Sequence, residues 1–195
     1  AFGDTLIGPN VGAAFNMTAT GAGNVDNAFS FSSVEILNAG TGIDNLNYSG
    51  YNTAVTLDMQ TSTTSGLTSF SGFELVTGSP FDDSIQANAA GSTFQMTSSG
   101  AGSVDGQPFT SFENLLGGVS TDNINYSTFG SAVTVNLETS AASGLSSFSD
   151  IENFVGSTFN DSLIGPNTND NFVINALADW SLNTQSFTAF ENLSG

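Results

Sequence analysis

Val55, Leu57 and Met59 alternate with Thr56 and Asp58, and Val133, Val135 and Leu137 alternate with Thr134 and Asn136. A period of two sends alternate side chains to opposite faces, so both segments are predicted strands with one face buried. Clusters of Gly, Ser and Asn interrupt the apolar positions at short intervals. Such clusters mark tight turns. No stretch holds the 3.6-residue spacing and end caps of a helix. The pattern predicts short strands joined by corners and nothing else.

The strands recur. Residues 81–158 retrace residues 2–80: Phe94-Gln95-Met96-Thr97 repeats Phe15-Asn16-Met17-Thr18, and Gly100-Ala101-Gly102 repeats Gly21-Ala22-Gly23. A finer period lies inside. Phe31, Phe70, Phe109, Phe148 and Phe187 are 39 residues apart, and so are Glu35, Glu74, Glu113, Glu152 and Glu191. Between and beyond them lie two apolar slots. Val34, Phe73, Phe112, Ile151 and Phe190 fill the first; Leu37, Val76, Leu115, Phe154 and Leu193 fill the second. Nine residues after each of the first four Glu comes an Asp: Asp44, Asp83, Asp122 and Asp161. Five such repeats, at about 2–40, 41–80, 81–118, 119–158 and 159–195, account for the chain.

A 39-residue set of short strands cannot close its own core, so neighbouring repeats must stack. The expected architecture is all-β, a single parallel β-helix (β-solenoid) spanning 1–195. Rungs of roughly 20 residues would give about ten of them, about 48 Å in all at ~4.8 Å per rung. Identical positions would then lie over one another, with the Phe series as an internal aromatic ladder. A β-sandwich also uses short strands, but it gives no reason to hold Phe and Glu at one spacing through five copies.

Composition narrows the function. The chain has no Lys, Arg, His or Cys against 18 Asp plus Glu, a formal charge of −18. Nothing basic is present to meet a phosphate backbone, which excludes nucleic acid as a partner, and anionic membrane surfaces are disfavoured. No apolar run reaches the roughly 18 residues of a membrane span. Thiolate and imidazole chemistry is absent, and with it most nucleophiles, general bases and zinc sites. So large a charge is a mark of disorder, yet 38% of residues are hydrophobic, enough for a core.

Ala132-Val133-Thr134-Val135-Asn136-Leu137, Ile151-Glu152-Asn153-Phe154-Val155-Gly156 and Phe159-Asn160-Asp161-Ser162-Leu163-Ile164-Gly165 resemble the repeats flanking hemolysin-type (RTX-like) calcium-binding arrays. The alternating unit is similar to the β-strand-repeat regions of very large bacterial surface proteins, cyanobacterial ones included. The resemblance spans essentially the whole chain. It implies a bacterial β-solenoid, extracellular or at the cell surface, used as fibre, stalk or adhesin. One departure is plain: the glycine-rich calcium nonapeptide is not present in tandem. Its closest fragments are Gly40-Thr41-Gly42-Ile43-Asp44 and Gly117-Gly118-Val119-Ser120-Thr121-Asp122.

The recurring carboxylates are the candidate chemistry. Asp44, Asp83, Asp122 and Asp161 each stand at a corner, where carboxylate and loop oxygens could gather around Ca2+. Equally, each could accept hydrogen bonds from nearby backbone N–H groups and cap the corner; capping is the preferred reading, and no cofactor is required. Glu residues two rungs apart would be about 9.6 Å from each other, a repulsion of roughly 0.4 kcal/mol in water and about 1.7 kcal/mol at an effective dielectric of 20. Polysaccharide hydrolysis needs a carboxylate pair. Asp82-Asp83 is the only adjacent one, and Asp58, Glu138, Asp170 and Asp179 do not cluster in the sequence. Thr rows for ice binding are not kept between Thr18-Ala19-Thr20 and Thr97-Ser98-Ser99.

Phe190-Glu191-Asn192-Leu193-Ser194-Gly195 followed by Ala1-Phe2-Gly3-Asp4-Thr5-Leu6 would resume the motif, with Glu and Asp eight residues apart instead of nine. The expectation is therefore a non-enzymatic structural segment or subunit of an extracellular fibre. It would be extended by head-to-tail stacking, with other copies of itself as partner. The alternative is a calcium-stabilised stalk of a large adhesin.

Overall fold

The computed structural model describes residues 3–169 and 171–195. Every regular element among them is a strand. In chain order these are β1 (Thr5–Ile7), β2 (Ala14–Ala19), β3 (Ala22–Val25), β4 (Phe29–Phe31), β5 (Ile36–Asn38), β6 (Asn45–Asn47), β7 (Thr56–Asp58) and β8 (Thr63–Thr64). There follow β9 (Ser69–Ser71), β10 (Leu75–Thr77), β11 (Ser84–Gln86), β12 (Thr93–Ser98), β13 (Ala101–Val104), β14 (Gln107–Thr110), β15 (Asn114–Leu116) and β16 (Asn123–Asn125). The rest are β17 (Thr134–Asn136), β18 (Ala141–Ala142), β19 (Ser147–Ser149), β20 (Asn153–Val155), β21 (Ser162–Ile164), β22 (Val173–Ala176), β23 (Asp179–Leu182), β24 (Gln185–Thr188) and β25 (Asn192–Ser194). No helix is long and apolar enough to cross a membrane among the described residues.

Two compact parts form. The first runs up to Gln86 and takes in Gln107–Phe112; the second holds Ala87–Gly106 and Glu113–Gly195. In the first, β14, β10, β6, β2, β3 and β4 lie side by side in that order as one wall. The opposite wall holds β1-β5-β9 and β8-β7-β11, brought together where the Phe70 N–H donates to the Ser62 carbonyl (3.2 Å). The second part repeats the plan. One wall is β22-β23-β24-β20-β16-β12-β13; the other joins β15-β19 to β18-β17-β21-β25 through the Phe148 N–H and the Ser140 carbonyl (2.8 Å).

The chain is thus an all-β solenoid of parallel stacked coils, of about six turns. The coil is longer than the sequence pattern predicted. Parallel partners lie 28 residues apart between β7 and β11 and 33 apart between β5 and β9, against the roughly 20 expected. Antiparallel meanders account for the difference. β7-β8 doubles back within both of these coils, as β2-β3-β4 does between β1 and β5 and β22-β23-β24 between β21 and β25.

A ladder therefore climbs through different slots of the repeat. Phe15, Leu46, Val76 and Phe109 lie over one another in the first part, and Phe94, Ile124, Phe154 and Phe187 in the second. All eight are buried, and full burial of one such side chain contributes about 1.5–3 kcal/mol. This corrects the expected aromatic ladder: Phe70, Phe109, Phe148 and Phe187 do not stack on each other. Each sits over the second apolar slot of the preceding repeat, as Phe187 does over Phe154, with rings 5.2 Å apart and 11° from parallel. Phe70, Phe109 and Phe187 also meet the aromatic three residues on, at Phe73, Phe112 and Phe190.

Two features of the corner enforce the stack. The residue two after each repeated Phe has positive φ in all five repeats: Ser33, Gly72, Ser111, Asp150 and Ala189, between 53° and 75°. There the chain leaves one wall for the other. Six residues later, at Gly117, an added Cβ would meet the Asp150 carbonyl oxygen at 1.7 Å. Coils pass there backbone against backbone, with room for hydrogen alone.

Candidate functional site

The repeated Glu immediately precedes the strand after each corner. Its backbone N–H and the next one donate to an Asp carbonyl of the coil below. Glu74 and Leu75 donate to Asp44 (3.0 and 3.2 Å), Glu152 and Asn153 to Asp122 (3.1 and 3.0 Å), and Glu191 and Asn192 to Asp161 (3.2 and 3.0 Å). The Glu side chain returns the bond: Oε2 accepts the N–H of that same Asp, at 2.8 Å for Glu74 and Asp44, 2.9 Å for Glu152 and Asp122, and 2.7 Å for Glu191 and Asp161. Glu35 holds Asp4 in the same way (2.8 Å). The result is a two-way clasp between neighbouring coils. The bonded Asp is the one 30 residues before each Glu, not the one nine residues after it.

The four candidate Asp side chains continue the chain of bonds. All are fully buried, and each Oδ1 accepts a backbone N–H from a further coil. The donors are Ala13 to Asp44 (2.8 Å), Val55 to Asp83 (2.5 Å), Ser92 to Asp122 (2.7 Å) and Val133 to Asp161 (2.7 Å). The second oxygen is occupied from the Asp's own corner. Ser79 N–H serves Asp83, Gly118 N–H serves Asp122 (2.7 Å) and Ser157 N–H serves Asp161 (2.5 Å). Ser79 and Ser157 add hydroxyl donors to Oδ1, both at 2.8 Å. Convergent N–H donors stabilise a carboxylate out of water. No cationic side chain exists to do so.

This donor set fits capping rather than a calcium cage. A calcium ion needs six to eight oxygens, whereas Asp83, Asp122 and Asp161 point theirs at N–H and O–H groups. Among the described residues no three carboxylates lie close enough to hold a metal ion. Asp44 differs: its Oδ2 is buried with no hydrogen-bond partner. Its corner carries Gly40 and Gly42 with φ of 107° and 135°, where the other corners supply a donor.

Of the remaining carboxylates, Asp58 and Asp105 serve local turns. Asp82 is exposed while Asp83 is buried, so the one adjacent pair does not face a common space. Asp58 accepts from the Gln60 and Thr61 N–H groups (2.9 and 3.0 Å). Asp105 closes the turn after β13, accepting from Thr93 N–H (2.9 Å), Asn88 Nδ2 (2.9 Å) and Ser92 Oγ (2.8 Å). Partial burial opposes its ionisation, but these bonds outweigh it and hold its carboxyl below the usual range. Asp170 lies outside the described residues, as does Phe2 of the resumed motif.

Rows of amides and hydroxyls supply more bonds between coils. Asn47 donates to Asn16 (2.8 Å), Asn153 to Asn123 (2.7 Å), Ser71 to Asn38 (2.7 Å) and Ser147 to Asn114 (2.6 Å). Two buried tyrosines mark a contrast between equivalent positions. Tyr48 donates its hydroxyl to the Ser65 carbonyl (3.0 Å), while the hydroxyl of Tyr126 is buried with no partner. Burial pushes both phenols well above their ordinary range.

No protein-family model, no curated protein and no solved structure matches the chain.

Proposed function

We propose that the chain is a non-enzymatic structural segment or subunit of an extracellular or cell-surface fibre, lengthened by head-to-tail stacking of solenoid coils. The observation that carries the reading is where the repeated polar residues go. Glu74, Glu152 and Glu191, the four Asp, and the Asn and Ser rows all bond one coil to the next. Such bonds make a stack that any further coil of the same kind can extend. A charge of −18 keeps neighbouring fibres apart sideways. The chain without Lys or Arg offers trypsin-like proteases no site, which suits a place outside the cell.

Sedimentation of the purified chain across a concentration series, with and without a calcium chelator, tests the proposal. The expected result is large assemblies that pellet in both conditions. Particles of single-chain size at every concentration would sink it. The calcium-stabilised adhesin stalk is the second reading, favoured by the unpartnered Asp44 Oδ2 alone; assemblies that dissolve only on chelation would make it the better account.

A further inference from the structure

We propose that the β22 and β25 end of the second part docks onto the β1 and β4 end of the first part of another copy, β22 lying parallel on β1 and β25 on β4. The proposal rests on the fibre reading above and names the surfaces that join. All four strands are last in their sheets among the described residues. Inside the chain, hairpin strands β2 and β12 are each covered by the strand following a repeated Asp, β6 and β16. β22 is a hairpin strand of the same kind. Its Ile174 faces Trp180 across the hairpin as Met17 faces Gly23 and Met96 faces Gly102. Met17 and Met96 are fully buried; Ile174 is 68% exposed. β1 is an Asp-following strand, after Asp4, with no hairpin strand beneath it. Likewise the second-apolar-slot strands β5, β10, β15 and β20 each carry a repeated-Phe strand. β25 carries none and β4 sits on none. What one end lacks, the other supplies.

Any sheet edge bares inward-facing side chains, but its outward-facing ones need not differ from those of the inner coils. Here they do change. Val173 stands where Asn16 and Gln95 stand in the inner hairpins, Leu177 where Thr20 and Ser99 stand, and Phe29 where Gln107 and Gln185 stand. Val173, Leu177 and Phe29 are 54%, 100% and 78% exposed. Apolar substitutions at outward positions of both ends are what a junction between copies needs. The register agrees: Asn16 lies beside Asn47 and Gln95 beside Asn125, which sets Val173 beside Ile7 of the next copy and Leu177 toward its Val11. Ile7, Pro9, Val11 and Phe29 line one apolar groove. Each copy carries one end of each kind, so the contact is heterologous and leaves both outer ends open for growth.

The chain has no Cys, so the doubly substituted Ile7→Cys/Val173→Cys protein reports the contact directly. Mild oxidation should give a ladder of covalent dimers, trimers and larger species, and Ile7→Cys/Val119→Cys should not. Leu177→Asp and Phe29→Asp change exposed side chains; each should weaken assembly roughly tenfold or more with the melting temperature unchanged. Assemblies that pellet without cross-linking, and that tolerate both Asp substitutions, would overturn this pairing while leaving the fibre reading intact. A protein that stays monomeric throughout would overturn both.

Discussion

A methyl group at Gly117 would lie 1.7 Å from the Asp150 carbonyl oxygen, whereas at Gly130 nothing stands within 4 Å. Relieving the first contact means moving one coil off another, so Gly117→Ala is expected to cost about 3 kcal/mol and Gly130→Ala less than about 0.5 kcal/mol, read as shifts in the urea midpoint. The buried tyrosines give a second internal comparison. Tyr48→Phe strands the Ser65 carbonyl and should cost about 1 kcal/mol or more, while Tyr126→Phe removes an unpartnered hydroxyl and should be neutral or stabilising by up to about 1 kcal/mol. A larger loss at Tyr126 than at Tyr48 would contradict the hydrogen-bond assignment. At this scale the sequence announced its repeated Phe, Glu, Asp and Gly but hid the left-handed corner. That position holds Ser, Gly, Ser, Asp and Ala in turn, because φ, not side-chain chemistry, is what it conserves from repeat to repeat.

The element that joins coils is the clasp of Glu Oε2 on an Asp N–H. In Glu152→Ala the Asp122 amide loses its acceptor, which should cost about 1–3 kcal/mol and speed hydrogen exchange at that amide. Glu152→Gln keeps an acceptor oxygen, so exchange there should stay near the parent rate. Equal exchange in both variants would remove the clasp from the account. The hairpin turn at Asp105 makes an acid-side test. Its carboxyl titrates below the ordinary value in the folded chain, so its stabilising effect is full above about pH 4 and is lost as pH falls through the folded value. Asp105→Asn should therefore lose less stability than the parent between pH 5 and pH 2; the difference is small because the group is largely exposed. Strands and corners were legible from alternation and turn residues. The coil length was not, since a repeat of 39 residues folded back in a meander advances by a different number along the stack. For the same reason the spacing of nine from each Glu to the next Asp gave no sign that the bonded Asp stands 30 residues before the Glu.

For the molecule as a whole, the sequence identified stacked parallel coils because repeats too small to hold a core have no other way to bury Phe at a fixed period. It could not show that Ile7, Phe29, Val173 and Ile174 stand exposed on strands that end the sheets, because burial and edge position exist only once the chain is folded. Those edges carry the central claim, that coils of one copy continue those of the next. Electron cryo-microscopy of the assembled protein, with helical reconstruction, tests it most directly. The account predicts unbranched filaments, unchanged by a calcium chelator, in which the strand ladder of about 4.8 Å runs unbroken through every junction between copies. Particles that never elongate, or filaments whose copies meet side by side with the ladder interrupted, would contradict it.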